Sequence, residues 1–167
     1  LAAVFVLFKV LLQLAYVPSG SMETTIPTKC LLVGWRLPYL VSDPVPDRGD
    51  IVTFWDEELN KVLVKRVVGL PGETLSFKNG YTYGNGEKLD ESYLPTQGIT
   101  TLPDSMADKT FTVPEGCMFV MGDNRTGSND SRLLGEPYIP IEAVQARMLV
   151  AISVGSDQSW QGVRWIG

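Results

Sequence analysis

Apolar residues occur along this chain in short runs between turn-forming residues, except at the start, where residues 1–16 are mostly apolar. Residues 1–15 contain neither proline nor glycine and many good helix formers, so they predict a helix. Lys9 and Gln13 interrupt the run, which is shorter than the roughly 20 apolar residues that span a bilayer. Pro18 and Gly20 should end the helix and force an irregular turn.

Two interpretations of residues 1–16 remain open. One is the end of a truncated membrane anchor, with the Lys9 ammonium reaching toward the interface. The other is an amphipathic helix that packs on its own domain or lies in the membrane interface. We favour the anchor, and because the sequence begins with Leu1 rather than Met we expect a fragment of a longer polypeptide. A cleaved signal peptide is disfavoured, because no small-residue cleavage site precedes Val17.

The rest of the chain predicts short strands separated by glycine and proline turns. Asn79 and Gly80 indicate a tight hairpin turn, and the three prolines within residues 38–46 indicate a surface loop. Residues 84–108 are polar and predict an inserted lobe. This spacing is typical of a mainly β, barrel-like fold. The predicted strands cover residues 30–35, 51–55, 62–68, a hairpin at 75–83, 110–113, 117–121 and a stretch from about 146, with a loop at 122–135.

Composition excludes several classes of function. The 167 residues suffice for one domain, or one domain with an inserted lobe. The net charge of -5 and the lack of a Lys/Arg cluster make nucleic acid an unexpected partner. There is no histidine, which removes Ser-His-Asp and Cys-His catalysis and any His-ligated metal. A hydrolase of this composition must use lysine or a carboxylate as its base.

The two cysteines do not point to a metal site. Cys30 and Cys117 are far apart in sequence and fit no metal-ligand spacing. One disulfide is possible, but the chain is not a cysteine-dense secreted scaffold, so we expect buried free thiols.

Lys65 is the first residue that suggests chemistry. It lies in the predicted strand 62–68 and shares a face with Leu63 and Val67. Such a lysine is either exposed on an edge strand, where it discourages aggregation, or buried with a lowered pKa. In the second case the neutral amine can act as a general base.

Ser21 is the second candidate. It lies in a Ser-Gly-Ser stretch just after the apolar run, where a plain glycine/serine turn would explain it equally well. A serine hydroxyl is a weak nucleophile and needs a base beside it. Without histidine, Lys65 is the one strand lysine in apolar surroundings that could serve.

Four stretches together resemble the conserved segments of the bacterial type I signal peptidases, which are membrane-anchored Ser–Lys endopeptidases. These stretches are residues 18–22 (PSGSM), 48–52 (RGDIV), 65–73 (KRVVGLPGE) and 122–132 (GDNRTGSNDSR). They occur in the order found in the family, so the joint match is specific.

The resemblance implies a catalytic role for four residues. Ser21 would be the nucleophile, and Lys65 would take its proton and later give it to the leaving amine. The Ser21 amide and the Ser19 hydroxyl would stabilise the oxyanion, a type of interaction typically worth a factor of about 100 to 1,000 in rate. Ser128 would orient the Lys65 amine.

The resemblance also implies supporting and substrate-binding residues. Arg66 with Asp123, and Asp130 with Arg132, would form structural ion pairs. Shallow apolar pockets would favour alanine at positions minus one and minus three of a preprotein. The residues implied to line them are Val17, Pro18, Met22, Ile26 and Val64.

The implied protein has a mainly β catalytic core, as in signal peptidases and self-cleaving repressors, with an inserted β lobe and an N-terminal apolar helix. Residues 1–16 would be the membrane anchor and residues 17–167 the catalytic domain, with about 84–108 as the excursion. It would sit in a bacterial cell membrane with this domain on the extracytoplasmic face. Its partners would be signal peptides of exported preproteins and membrane lipid, and no cofactor is expected. A self-cleaving Ser–Lys protease and an inactive membrane-tethered β binding module are the alternatives.

The chain departs from the family pattern in two places. Thr24 follows Glu23 where the family usually has proline, which should loosen the turn. Thr28 and Lys29 stand where a Gly-Asp pair is common, which leaves the geometry of the following strand open.

Overall fold

The computed structural model describes residues 10–23, 25–42, 44–103, 106, 108–153 and 162–167, and these are mainly β. Their strands form an eight-stranded and a four-stranded antiparallel sheet. A short helix, α1 (Leu37–Val41), and 3-10 turns at Gly20–Met22 and Ile141–Ala143 accompany them. The strands are β1 (Leu12–Tyr16), β2 (Cys30–Trp35), β3 (Ile51–Asp56), β4 (Lys61–Gly69), β5 (Thr74–Lys78), β6 (Tyr81–Gly84), β7 (Glu87–Lys88), β8 (Phe111–Thr112), β9 (Cys117–Met121), β10 (Ile139–Pro140), β11 (Val144–Ser153) and β12 (Gly162–Trp165).

The large sheet has the order β1-β2-β11-β3-β4-β9-β10, and β12 also pairs with β11. Strand β4 therefore lies inside the sheet, with Lys65 opposite Val52 on β3 and Arg66 opposite Met121 on β9. The edge-strand interpretation of Lys65 is thus wrong. The barrel expectation needs correction too, because the order of the described strands runs from one edge to another and does not close.

The small sheet, in the order β7-β6-β5-β8, contains the predicted hairpin. Lys78 pairs with Tyr81 across a two-residue turn in which Asn79 and Gly80 both have positive φ, 53° and 81°. Asn-Gly is the preferred pair for this turn because both positions need left-handed backbone. Within the excursion, residues 84–108, β7 adds a short strand to this sheet.

Three groups of buried apolar side chains form the core. One surrounds the Ser21 turn, which we define as residues 17–26, and includes Val17, Met22 and Ile26. A second lies under β3, β4 and β9. The third joins the two sheets through the rings of Phe77, Phe111 and Phe119, with centroids 4.9–6.2 Å apart.

The predicted N-terminal helix is wrong for residues 12–15, which belong to β1 and pair with β2. The side chain of Gln13 supports the strand, because its Nε2 donates to Gln145 Oε1 and its Oε1 accepts from the Thr53 hydroxyl. Tertiary pairing outweighs helix propensity here. Residues 1–9, and with them most of the anchor prediction, lie outside the described residues. Within the described residues no helix is long and apolar enough to cross a membrane.

Other strand predictions are confirmed, including those at residues 30–35, 51–55, 62–68 and 117–121. Helix α1 occupies part of the predicted loop 38–46, and β10 and β12 were not predicted. Cys30 and Cys117 are not joined in a disulfide, in agreement with the expected thiols, but only Cys30 is buried.

Candidate active site

The Ser21 turn is fixed by backbone bonds and apolar burial. Val17 exchanges backbone hydrogen bonds with the segment that enters β2, donating to Cys30 O and accepting from Lys29 N. The Ile26 amide bonds Met22 O, and both side chains are fully buried. Ser21 itself lies on the 3-10 turn and is half-buried. The chain thus holds a serine hydroxyl at the surface of a packed core.

Lys65 reaches this serine from β4. Its Nζ donates a hydrogen bond to Ser21 Oγ at 2.8 Å. The lysine is only 3% exposed, and burial lowers the pKa of Lys65 to about 8, although the nearby Asp130 opposes the shift. A substantial fraction of the amine is therefore neutral near pH 8, and the neutral form lies within hydrogen-bond reach of the serine proton that it could accept.

Ser128 lies beside the backbone of the Ser21 turn, but it makes no hydrogen bond to Lys65. A Cβ at Gly122 would overlap both the Ser128 hydroxyl and the Ser21 carbonyl oxygen, so both atoms lie beside Gly122. Ser128 is buried, and its Oγ has no partner among the described residues. A buried hydroxyl without a protein partner is uncommon and calls for an explanation, of which a catalytic role is one.

The two ion pairs implied by the resemblance are both present and buried. Arg66 holds Asp123 through two parallel bonds, Nε to Oδ1 at 2.8 Å and Nη2 to Oδ2 at 2.7 Å. Arg132 holds Asp130 through Nε and Nη2, each at 2.9 Å. Asp130 also accepts a bond from the Gly122 amide. These pairs fix both ends of residues 122–132, which we call loop 122–132.

Asn124 is a residue to which the sequence analysis gave no role. Its backbone amide donates to Ser21 O at 3.1 Å, and its side-chain Nδ2 donates to Gly20 O at 3.0 Å. It therefore ties loop 122–132 to the Ser21 turn. An asparagine in a polar loop carries no local signal for such a contact, because its partners lie about 100 residues away.

The residues implied to bind substrate surround Ser21 but differ in exposure. Val17, Met22 and Ile26 are buried in one core group, and Val64 is half-buried against it. Pro18 and Ser19 are exposed, and the Ser19 side chain makes no capping bond to the 3-10 turn. The three buried side chains could form only the floor of a substrate cleft. Among the described residues, no group of three or more suitable side chains could hold a metal ion.

A family model described as "Signal peptidase, peptidase S26" matches residues 1–152. The chain belongs to the signal peptidase family, peptidase S26. The match covers every element that carries Ser21, Lys65, Ser128 and their supporting ion pairs.

Individual relatives within the signal peptidase family agree. A signal peptidase I of Pseudomonas aeruginosa is 33% identical over 94% of this chain and 68% of its own length. A signal peptidase I of Bacillus caldolyticus is 40% identical over 72% of this chain and 69% of its own length. A probable signal peptidase I-1 of Synechocystis is 38% identical over 72% of this chain and 61% of its own length. The chain thus spans about two thirds of the length of these curated relatives.

A solved structure of the signal peptidase family shares the fold. The crystal structure of a signal peptidase I from Enterococcus faecalis V583 matches with a TM-score of 0.52 and 32% identity. The match covers 62% of this chain and 97% of that one. The mainly β architecture predicted for the catalytic core is therefore that of a signal peptidase.

Proposed function

We propose that this protein is a membrane-bound serine endopeptidase that removes N-terminal signal peptides from exported preproteins by acyl transfer through Ser21 and Lys65. The observation that carries the proposal is the 2.8 Å contact between Lys65 Nζ and Ser21 Oγ, made by a lysine that is almost wholly buried. Membership of the signal peptidase family supports the choice of substrate class.

The first step forms the acyl-enzyme. The neutral Lys65 amine takes the Ser21 proton as Oγ bonds to the carbonyl carbon at the cleavage site. The developing oxyanion is stabilised by the Ser21 amide and the Ser19 hydroxyl. The carbon–nitrogen bond then breaks, and the Lys65 ammonium gives its proton to the leaving amine of the mature protein.

The second step releases the signal peptide. Lys65 removes a proton from water, which attacks the ester carbon, and Ser21 Oγ leaves with that proton. The buried Ser128 hydroxyl lies beside Gly122 and Ser21 without a partner among the described residues. We assign it the role of orienting the Lys65 amine through a hydrogen bond that forms only when substrate is bound, as catalytic hydrogen bonds often do. Because burial holds the pKa of Lys65 at about 8, the amine can cycle between its two protonation states close to neutral pH.

The substrate and its location follow from the same proposal. The apolar floor of Val17, Met22 and Ile26, with Val64 and Pro18 beside it, accepts small side chains such as alanine at positions minus one and minus three. The apolar residues that precede β1 serve as the anchor of a catalytic domain that includes β1, because β1 pairs with β2 in the large sheet. This domain lies on the extracytoplasmic face of a bacterial membrane. Anchoring raises the effective concentration of membrane-bound preproteins.

The test compares cleavage of a signal-peptide substrate by the wild type, Ser21→Ala and Lys65→Ala. Both variants should lose cleavage while keeping the β-sheet circular dichroism spectrum. Lys78→Ala, which removes an exposed lysine from β5, should leave the rate unchanged. Retained cleavage in Lys65→Ala, or an acylating inhibitor that labels a residue other than Ser21, would refute the dyad.

A further inference from the structure

Loop 122–132 reaches into the excursion through a buried arginine, Arg125. The side chain of Arg125 is 0% exposed and donates to Glu91 Oε1 at 2.6 Å, the Tyr93 hydroxyl at 3.0 Å and Thr100 Oγ1 at 2.7 Å. All three partners belong to residues 91–101, which we call the clamp segment. A buried guanidinium needs such partners, because an uncompensated charge inside a protein is strongly destabilising.

Tyr93 is the residue in the clamp segment that contacts two guanidinium groups. Its ring centroid lies 4.0 Å from Arg66 Cζ and 5.9 Å from Arg125 Cζ. Its hydroxyl accepts from Arg125 and donates to Glu91 Oε1 at 3.1 Å. Burial, together with the Glu91 carboxylate, raises the pKa of Tyr93, so the hydroxyl stays protonated and keeps its proton for Glu91.

The two guanidinium groups that touch Tyr93 both hold the start of loop 122–132. Arg66 binds the Asp123 carboxylate, and Arg125 Nε donates to Gly122 O at 3.1 Å. Gly122 in turn lies directly against Ser21 O and Ser128 Oγ. A continuous set of contacts therefore runs from Tyr93, through two arginines and residues 122–123, to the Ser21–Lys65 pair.

The clamp segment also reaches the far end of the loop. Arg132 Nη1 donates to Thr101 O at 3.1 Å, and Arg132 Nη2 donates to Arg125 O at 2.8 Å. Loop 122–132 is thus bonded to the clamp segment at both ends. Partners outside the loop therefore hold it near both of its ends.

We propose that Tyr93 is a positioning residue for the Ser21–Lys65 site, acting through Arg66 and Arg125 to hold Gly122 and Ser128 against the reacting pair. The inserted lobe then supplies no reacting group but sets the catalytic rate. This inference rests on the proposed function, since it concerns the rate of the same reaction.

The test is steady-state cleavage of a signal-peptide substrate by Tyr93→Leu and Tyr93→Phe. The leucine variant loses the ring over Arg66 and both hydroxyl contacts, and kcat should fall about 10- to 100-fold because displacement of a site by about 1 Å costs about 100-fold. KM should stay within about twofold. The phenylalanine variant keeps the ring and should lose about 3- to 10-fold in kcat.

A matched control is Tyr83→Leu, which changes another half-buried tyrosine, on β6 and outside the clamp segment. It should leave kcat unchanged. A second readout is the pH profile of kcat/KM, which should inflect near pH 8 in the wild type, at the pKa of Lys65. In Tyr93→Leu the inflection should lie at higher pH, because a loosened loop lets water reach Lys65 and raises its pKa. A purely structural role would lower thermal stability without moving this inflection.

Unchanged kcat in a folded Tyr93→Leu variant, a change confined to KM, or an equal loss in Tyr83→Leu would overturn the inference. If the wild type itself fails to cleave signal-peptide substrates, the proposed function fails, and the inference is then decided by amide hydrogen exchange of residues 122–132. Faster exchange in Tyr93→Leu than in Tyr83→Leu supports positioning of the loop by Tyr93, and equal exchange overturns it.

Discussion

The Ser21 turn and loop 122–132 meet at Gly122, yet they are held in different ways. The turn rests on buried apolar side chains, of which Met22 and Ile26 are the most completely buried. The loop instead carries four buried charged residues, each paired: Asp123, Arg125, Asp130 and Arg132. Apolar packing is non-directional and tolerates small shifts, whereas paired charges fix orientation. The comparison indicates that the turn supplies the place for the serine and the loop supplies its geometry.

Substitution of Asp123 in loop 122–132 should cause the largest loss of stability. Asp123→Asn leaves the buried Arg66 guanidinium without its counter-charge, and loss of one partner of a buried pair costs about 3–5 kcal/mol. Urea unfolding of the variant measures this loss. Asp90→Asn, which changes an exposed carboxylate, should stay within about 0.5 kcal/mol of the wild type. Equal effects of the two substitutions would mean that the Arg66 pair does not stabilise the loop.

The Lys65→Met substitution measures how much folding free energy the burial of the Lys65 amine costs. Burial lowers its folded pKa from 10.5 to about 8, so the unfolded chain binds more protons between these values and the stability of the wild type rises with pH there. Lys65→Met lacks this rise. The stability advantage of Lys65→Met over the wild type should therefore be fully present below pH 8 and shrink by about 3 kcal/mol between pH 8 and 10.5. A pH-independent difference in urea unfolding would show that the lysine is not held in a desolvated site.

The Gly122→Ala substitution tests the contact between the Ser21 turn and loop 122–132. Gly122→Ala places a Cβ on the Ser21 carbonyl oxygen and the Ser128 hydroxyl, so the turn and the loop must separate. Cleavage should fall about 100-fold, as expected for a displacement of about 1 Å. Gly135→Ala, whose Cβ would approach only the Glu58 carboxylate at 3.3 Å or more, should cleave at close to the wild-type rate.

The smallest effect is expected on the apolar side. Ile26→Val removes one buried methylene group below the Ser21 turn and should cost about 0.5–1.5 kcal/mol in unfolding free energy. The cleavage rate should stay within about twofold, because the bonds between Asn124 and the turn are unchanged. A loss of cleavage as large as that of Gly122→Ala would show that apolar packing also sets geometry, and the distinction between the two regions would fail.

Local pattern was enough to predict most of the strands but not their partners. Residues 62–68 are predicted as a strand with a lysine among valines. The pairing of β4 with β9, some 50 residues later, makes β4 an inner strand, and Lys65 is buried there. Residues 12–15 read as helix because nothing local reveals β2 as their partner. The proximity of Ser21 and Lys65 came from resemblance to a family and not from spacing, since the two residues lie 44 positions apart.

The contacts of the clamp segment could not be predicted for a related reason. Glu91, Tyr93 and Thr100 lie in a polar stretch that is typical of a solvated surface, and Arg125 lies in a polar loop. From the sequence, each of these four residues is expected to be exposed. They are buried or half-buried in the fold because they contact one another there. Buried polar networks are specified by complementarity across the fold, which single-residue propensities do not carry.

The burial of Arg125 also constrains the order of assembly. Its guanidinium can leave water only where Glu91, Tyr93 and Thr100 are already in place, and all three precede it by 25 residues or more. Without a folded lobe the Arg125 guanidinium has none of these partners and is expected to stay in water. Burial of this one cation therefore couples the folding of the clamp segment to that of loop 122–132.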